Sequence, residues 1–237
     1  MADVLRGLAA SEGERAPGAR PFVTLAYAQS LDGCIAAQPG RPTALSGAAS
    51  LRLTHALRAR HDAILVGIGT LLADDPRLDV RLVEGRSPRP IIVDSRLSCP
   101  ATARLFRLGG QRALIASTER LDERRKADLQ AQGVEIWPLP AWANGWVDLA
   151  ALLDRLAASG VRRLMVEGGA RVLTSFLRAG LVDYAVVTQA PRWLGGLPAI
   201  DPDVVWDAGA PPAMAHVDVH RFGDDVVFAG PMVKDTP

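Results

Sequence analysis

The sequence predicts an α/β domain: a central, mostly parallel sheet of about eight or nine strands flanked by helices, with an antiparallel C-terminal hairpin. Three observations carry this. Short apolar runs alternate with amphipathic ones along the chain. Several runs, such as AILV, PIIV and LMV, have the continuous apolar character of strands buried on both faces. Four strands run into polar or glycine-containing turns, at 30–33, 67–75, 94–96 and 167–170. In one sheet such turns gather at a single edge, where open α/β sheets receive nucleotide-like ligands.

Composition bounds the function. The 237 residues are 49% hydrophobic, enough for a sizeable core, and 27 basic against 26 acidic residues leave a net charge of +1. That balance points to no nucleic-acid or membrane partner. Cys34 and Cys99 lie far apart, and His55, His61, His216 and His220 form no ligand motif, so neither a disulfide nor a metal site is expected. Residues 1–20 carry mixed charges with Gly and Pro and no apolar leader core, so they read as a flexible segment before a single domain at 21–237. The expected location is the cytoplasm.

In order, PFVTLAYAQ at 21–29 is rich in β-formers and reads as the first strand, followed by the SLDG turn and a short strand at 34–36. Leu51, Leu53 and Leu57 among arginines give a helix from Ala48 to about Arg60. A strand at 63–66 enters Gly67-Ile68-Gly69-Thr70 and a short helix ending at Asp74-Asp75-Pro76. As a dinucleotide fingerprint this is incomplete, because Leu72 stands where a third glycine belongs, but the turn can still touch phosphates. Asp74 to Arg77 read either as a solvated helix end or as ligand-facing groups, and Arg81 pairs either with Asp79 or with a ligand anion.

Strand 89–93 delivers Asp94 to the ligand edge, beside Ser95 and Arg96; Arg96 is either solvated or a partner for a phosphate such as the 2′-phosphate of NADP. Next come a strand at 113–116, a helix at 119–130 capped by Thr118, a strand at 134–137, and a helix capped by Asp148 and closed by Gly160. In LMVEGGARVLTSFL, from Leu164 to Leu177, a strand ends at Glu167 and a helix begins after Gly168 and Gly169. Its free N–H groups and dipole suit a phosphate, although the same glycines also serve a plain turn. A strand at 184–189, the PRWLGG loop at 191–196, and strands near 215–221 and 225–229 complete the chain.

SLDGCIA, SGAASLRLTHALRARHDAILVGIGTLLADDPRLDVR, RPIIVDSRL, LMVEGGARVLTSFL and PRWLGG, in this order, resemble the riboflavin-biosynthesis reductase family, the reductase domain of RibD-type proteins, over about 21–229. The resemblance implies a dihydrofolate-reductase-like fold, a homodimer, and NADPH-dependent reduction of the ribosyl group of 2,5-diamino-6-ribosylamino-4(3H)-pyrimidinone 5′-phosphate, or its deaminated form, to ribityl. The zinc deaminase fused to many bacterial members is expected to be missing, since no H-x-E and P-C-x-x-C pair occurs.

Position by position, the resemblance places Ser46 at a substrate hydroxyl contact and Arg58 and Arg81 near the substrate phosphate. It places Asp74 at the ribose hydroxyls, with Leu78 lining the same pocket, and Glu167 at the reacting end of the substrate. Gly67, Thr70, Ser95, Gly168 and Gly169 match cofactor contacts; Asp94 and Arg96 join them on the strand-end reading above. Asp74, with Glu167, is the candidate for the polar work of catalysis. One position departs from the pattern. Many bacterial members carry a pyrimidine-contacting lysine where this chain has Ala26, and Tyr27 is expected on the opposite face. Reduction of another pterin-like or nucleotide-like heterocycle, or idle NADP binding, are the alternative readings.

Overall fold

The computed structural model describes residues 1–13, 15–16, 18–107, 111–206 and 211–233. Eleven strands are described: β1 (Phe22–Gln29), β2 (Cys34–Ala36), β3 (Ala63–Gly67), β4 (Arg89–Val93), β5 (Leu114–Thr118), β6 (Glu135–Leu139), β7 (Arg163–Gly168), β8 (Tyr184–Gln189), β9 (Leu197–Pro198), β10 (Asp218–Phe222) and β11 (Asp225–Pro231). The helices are α1 (Ala2–Glu12), α2 (Ala48–Arg60), α3 (Ile68–Asp74), α4 (Glu123–Ala131), α5 (Leu149–Ala158) and α6 (Ala170–Arg178). Nine strands form one sheet in the order β10-β11-β8-β1-β7-β3-β4-β5-β6. The run from β8 to β6 is parallel throughout, while β11 lies antiparallel to β8 and β10 antiparallel to β11. The expected mixed sheet with its C-terminal hairpin is therefore observed. The two short strands β2 and β9 pair separately.

Alternation along each strand divides the core in two. Phe22, Ala26, Ile64, Val66, Ile92 and Met165 face one side, where Leu8 of α1, Leu53 and Leu57 of α2, Leu71 of α3 and Leu129 of α4 cover them. Val23, Leu25, Leu65, Ile91, Leu164 and Val166 face the other, beneath Leu152, Leu153 and Leu156 of α5 and Leu173 and Phe176 of α6. Tyr27 packs with this second set, opposite Ala26, as alternation requires.

Two expectations need correction. The segment expected to be flexible contains α1, an 11-residue helix whose Val4 and Leu8, one turn apart, are buried at 1% and 0% exposure. Arg15 and Arg20 then pin the following chain to Asp183, which also accepts the Val23 N–H at 2.9 Å. The helix expected to follow a Thr118 cap begins later, capped by Asp122 through the Arg124 and Arg125 N–H groups. Thr118 ends β5 instead, with its hydroxyl donating to the Ser95 carbonyl at 2.8 Å.

Candidate active site

The strands that carry the four polar turns, β1, β7, β3 and β4, are consecutive neighbours and parallel, so their C-terminal ends share one sheet edge. Register brings the two glycine turns together, because Val66 pairs with Gly168. Gly67 and Gly169 occupy the N-cap positions of α3 and α6, and neither helix start receives a side-chain cap. Their first N–H groups are thus available to an anion. Gly168 has φ +118°, a conformation side chains rarely adopt, and the Gly168–Gly169 peptide bond is cis.

The glycines also let the turns approach closely. A Cβ on Gly169 would lie 3.0 Å from Thr70 Oγ1, and one on Gly67 would lie 2.7 Å from Val172 Cγ2. Valine is stiff at χ1 and cannot swing clear. Gly67→Ala is therefore expected to cost about 1–3 kcal/mol in denaturant unfolding, with Val172→Ala in the same chain recovering part of the loss.

A cleft of about 160 Å³ opens beside these turns, walled by Ala26, Ser46, Leu53, Leu57, Glu167 and Thr188 among others. Its floor follows from register. Leu25 pairs with Val166 and Ala26 with Val186, so Ala26 and Glu167 project from the face that α2 covers. There Glu167 meets Arg58 in a two-pronged ion pair, Nε to Oε1 and Nη2 to Oε2, both 2.7 Å. Arg58 Nη1 donates to the Asp79 carbonyl at 3.1 Å. The fork expected to face the substrate phosphate is thus spent inside the protein, on the carboxylate expected at the reacting end. Burial would weaken the arginine as a base, but the adjacent Glu167 carboxylate outweighs it and raises its pKa.

The segment after α3 is tied to α2. Arg81 donates its backbone N–H to His55 Nδ1 at 3.1 Å, and its guanidinium meets the Asp79 carboxylate at 2.7 Å, with Arg77 on the other oxygen at 2.8 Å. The Arg81 side chain is 44% exposed, leaving donors open to solvent. Asp74 ends α3 with an exposed carboxylate that has no hydrogen-bond partner among the described residues. The protein packed around it nevertheless raises its pKa above the ordinary value by desolvation.

Two expected contacts are displaced. Leu78, at φ +54°, is 2% exposed and packs in the core rather than lining the cleft. Asp94 is 1% exposed and closes its own turn, Oδ2 accepting from the Cys99 N–H at 2.7 Å and Oδ1 from the Ser98 hydroxyl at 3.0 Å. A strand-end aspartate with a hydroxyl four residues ahead and an N–H five ahead folds its own loop before it can reach a ligand. Ser95 Oγ accepts the Val147 N–H at 3.2 Å, fastening the 140–148 loop to this edge, while Arg96 stays exposed.

Sequence reasoning missed the residues that join these parts. Asp32 accepts the Leu194 and Gly195 N–H groups at 3.0 and 2.6 Å, linking SLDG to PRWLGG. Asp225 accepts the Gly47 N–H at 2.7 Å and the Ser50 hydroxyl at the start of α2. Both pairings cross more than 150 residues, and nothing local marks them.

His55 and His61 are both buried. Burial pushes each pKa down to about 4. Their cationic forms are disfavoured in the folded state, so stability should rise between pH 4 and pH 6.5 and fall as acid protonates the unfolded chain preferentially. Melting temperatures across that window check this, and His61→Gln should flatten the slope.

Residues 21–228 match the RibD C-terminal domain family. The chain is 37% identical over 187 residues to 2,5-diamino-6-ribosylamino-4(3H)-pyrimidinone 5′-phosphate reductase of Archaeoglobus fulgidus, covering 75% of this chain and 83% of that one. It is 34% identical over 177 residues to the riboflavin biosynthesis protein RibD of Aquifex aeolicus, covering 74% of this chain and 48% of RibD, about half its length. Among solved structures, the Saccharomyces cerevisiae riboflavin biosynthesis reductase Rib7 superposes with a TM-score of 0.77 at 28% identity, over 98% of both chains.

Proposed function

The chain belongs to the RibD C-terminal domain family, and from that premise we propose that it reduces the ribosyl group of 2,5-diamino-6-ribosylamino-4(3H)-pyrimidinone 5′-phosphate, or its deaminated form, to ribityl, using NADPH. One observation carries this reading. Glu167 lines the cleft and Gly168 opens the anion-binding turn, so the cleft and the cradle share consecutive residues of one strand. The turns at 67–70 and 168–170 would hold the cofactor's pyrophosphate. The residues fit such a cofactor, because neither helix start is capped by a side chain and Gly169 lets the start of α6 approach Thr70 to a distance that a Cβ would crowd at 3.0 Å. The exposed Arg96 is the proposed 2′-phosphate partner and the reason to prefer NADPH to NADH.

When bound, NADPH supplies a hydride to C1′ of the ring-opened ribosyl group. The protein orients that carbon and manages charge. Ser46 offers its hydroxyl from the cleft wall, and Arg81 presents its open donors to the 5′-phosphate. Arg58 keeps both Glu167 oxygens occupied, which fixes that carboxylate as a wall of the cleft. With both Glu167 oxygens taken up by Arg58, Asp74, whose pKa is raised by desolvation, is the group that delivers a proton to the substrate.

A second reading, reduction of another phosphorylated heterocycle, is favoured by Ala26, which gives the cleft floor a methyl group at the position where the family resemblance implies a lysine. On either reading the enzyme works in the cytoplasm as a homodimer. Expression in a riboflavin auxotroph that lacks only this reductase separates the two. Restored growth supports the pyrimidine substrate, and failure to restore it, with turnover on dihydropterins by the purified protein, supports the other.

A further inference from the structure

His55 is fully buried. Its Nδ1 receives the Arg81 N–H. A backbone amide only donates, so Nδ1 is the unprotonated nitrogen and Nε2 carries the proton. That Nε2–H is buried and has no hydrogen-bond partner among the described residues. A buried unpaired donor costs stability, so a side chain kept here for packing alone would be better apolar. What the ring offers that leucine lacks is the acceptor at Nδ1.

The same helix turn grips the neighbouring chain. Arg58 holds the Asp79 carbonyl, and the Ser87 hydroxyl accepts the Val80 N–H at 3.0 Å, so residues 79 to 81 are each fixed although they belong to no strand or helix. The Arg81 guanidinium braces on Asp79, two residues back, so its direction follows the backbone at this point. We propose that His55 is a positioning residue for substrate binding: by accepting the Arg81 N–H it fixes the segment that aims the Arg81 guanidinium at the substrate's phosphate. This rests on the assignment of Arg81 as the phosphate ligand.

Steady-state kinetics of His55→Leu, His55→Asn, Arg81→Ala and the His55→Leu/Arg81→Ala double variant test it, with thermal melting to verify folding. Asparagine places an acceptor oxygen where Nδ1 stood, with its own amide N–H groups in place of Nε2–H. His55→Leu should raise the KM for the phosphorylated substrate about tenfold, the effect of one lost charge-orienting contact, with kcat within about twofold. His55→Asn should restore most of that KM. In the Arg81→Ala background His55→Leu should add little, because the two act as one unit. Additive effects in the double variant, or no rescue by asparagine in a folded protein, would overturn the role of His55 while leaving the enzyme's activity as proposed. An unchanged KM in Arg81→Ala would remove the phosphate assignment and the inference with it.

Discussion

Asp74→Asn should lower kcat by about 10²–10⁴-fold, the usual contribution of a positioned proton donor, while NADPH binds as before. Asp74 ends α3, the helix that Gly67 precedes, so it lies one short helix away from the glycine turn at 67–70. Its carboxyl makes no internal hydrogen bond among the described residues, and desolvation raises its pKa. The carboxylate at the C-terminal end of a helix also meets the negative end of the dipole, which acts in the same direction. Asparagine keeps the shape and a hydrogen-bond donor but supplies no proton. In the natural enzyme kcat should fall as pH rises through the raised pKa, because the protonated form is the active one, and that alkaline limb should vanish in Asp74→Asn. A variant with unchanged NADPH oxidation would remove Asp74 from the chemistry.

Glu167→Ala should cost about 3–5 kcal/mol of stability, the usual penalty for removing one partner of a buried ion pair. The two side chains are only 10% and 14% exposed, and two of the three guanidinium nitrogens lose their acceptor. For a chain of 237 residues this is a fall in melting temperature of roughly 6–20 °C. Glu167→Gln keeps one acceptor and should lie at the lower end. Replacing both partners with apolar residues should recover part of the loss, since the uncompensated charge goes with Arg58. Differential scanning calorimetry of the two single variants and the double variant measures all three values.

These two residues mark what was legible. Glu167 at the end of β7 and Gly168 after it follow from an apolar run broken by an acid and glycines, which is local information. That Glu167 is spoken for by Arg58, 109 residues earlier, is not local: it depends on β7 lying beside β1 with α2 across their shared face. The four polar turns gathered as expected because parallel strands must present the same ends together. Asp94 was misread for the opposite reason. Its side chain satisfies a hydroxyl and an N–H within its own turn, and type and position cannot separate a loop-closing aspartate from one that faces a ligand.

At the N-terminus the difficulty was energetic. The helix α1 buries Val4 and Leu8, with Leu5 packed beside them, and it rests on β11 at the far end of the chain. The α4 boundary failed because two residues with capping chemistry, Thr118 and Asp122, precede the helix. A tertiary hydrogen bond to Ser95 decides which of them stays in the strand.

The most direct test of the proposed activity is turnover by the purified protein with NADPH deuterated at the transferable C4 position and the ribosylamino-pyrimidinone phosphate as substrate. The predicted result is one NADPH consumed per substrate and a ribityl product carrying a single deuterium on C1′. Absence of turnover on this substrate and its deaminated form, with NADPH oxidised when a dihydropterin is supplied, would contradict it.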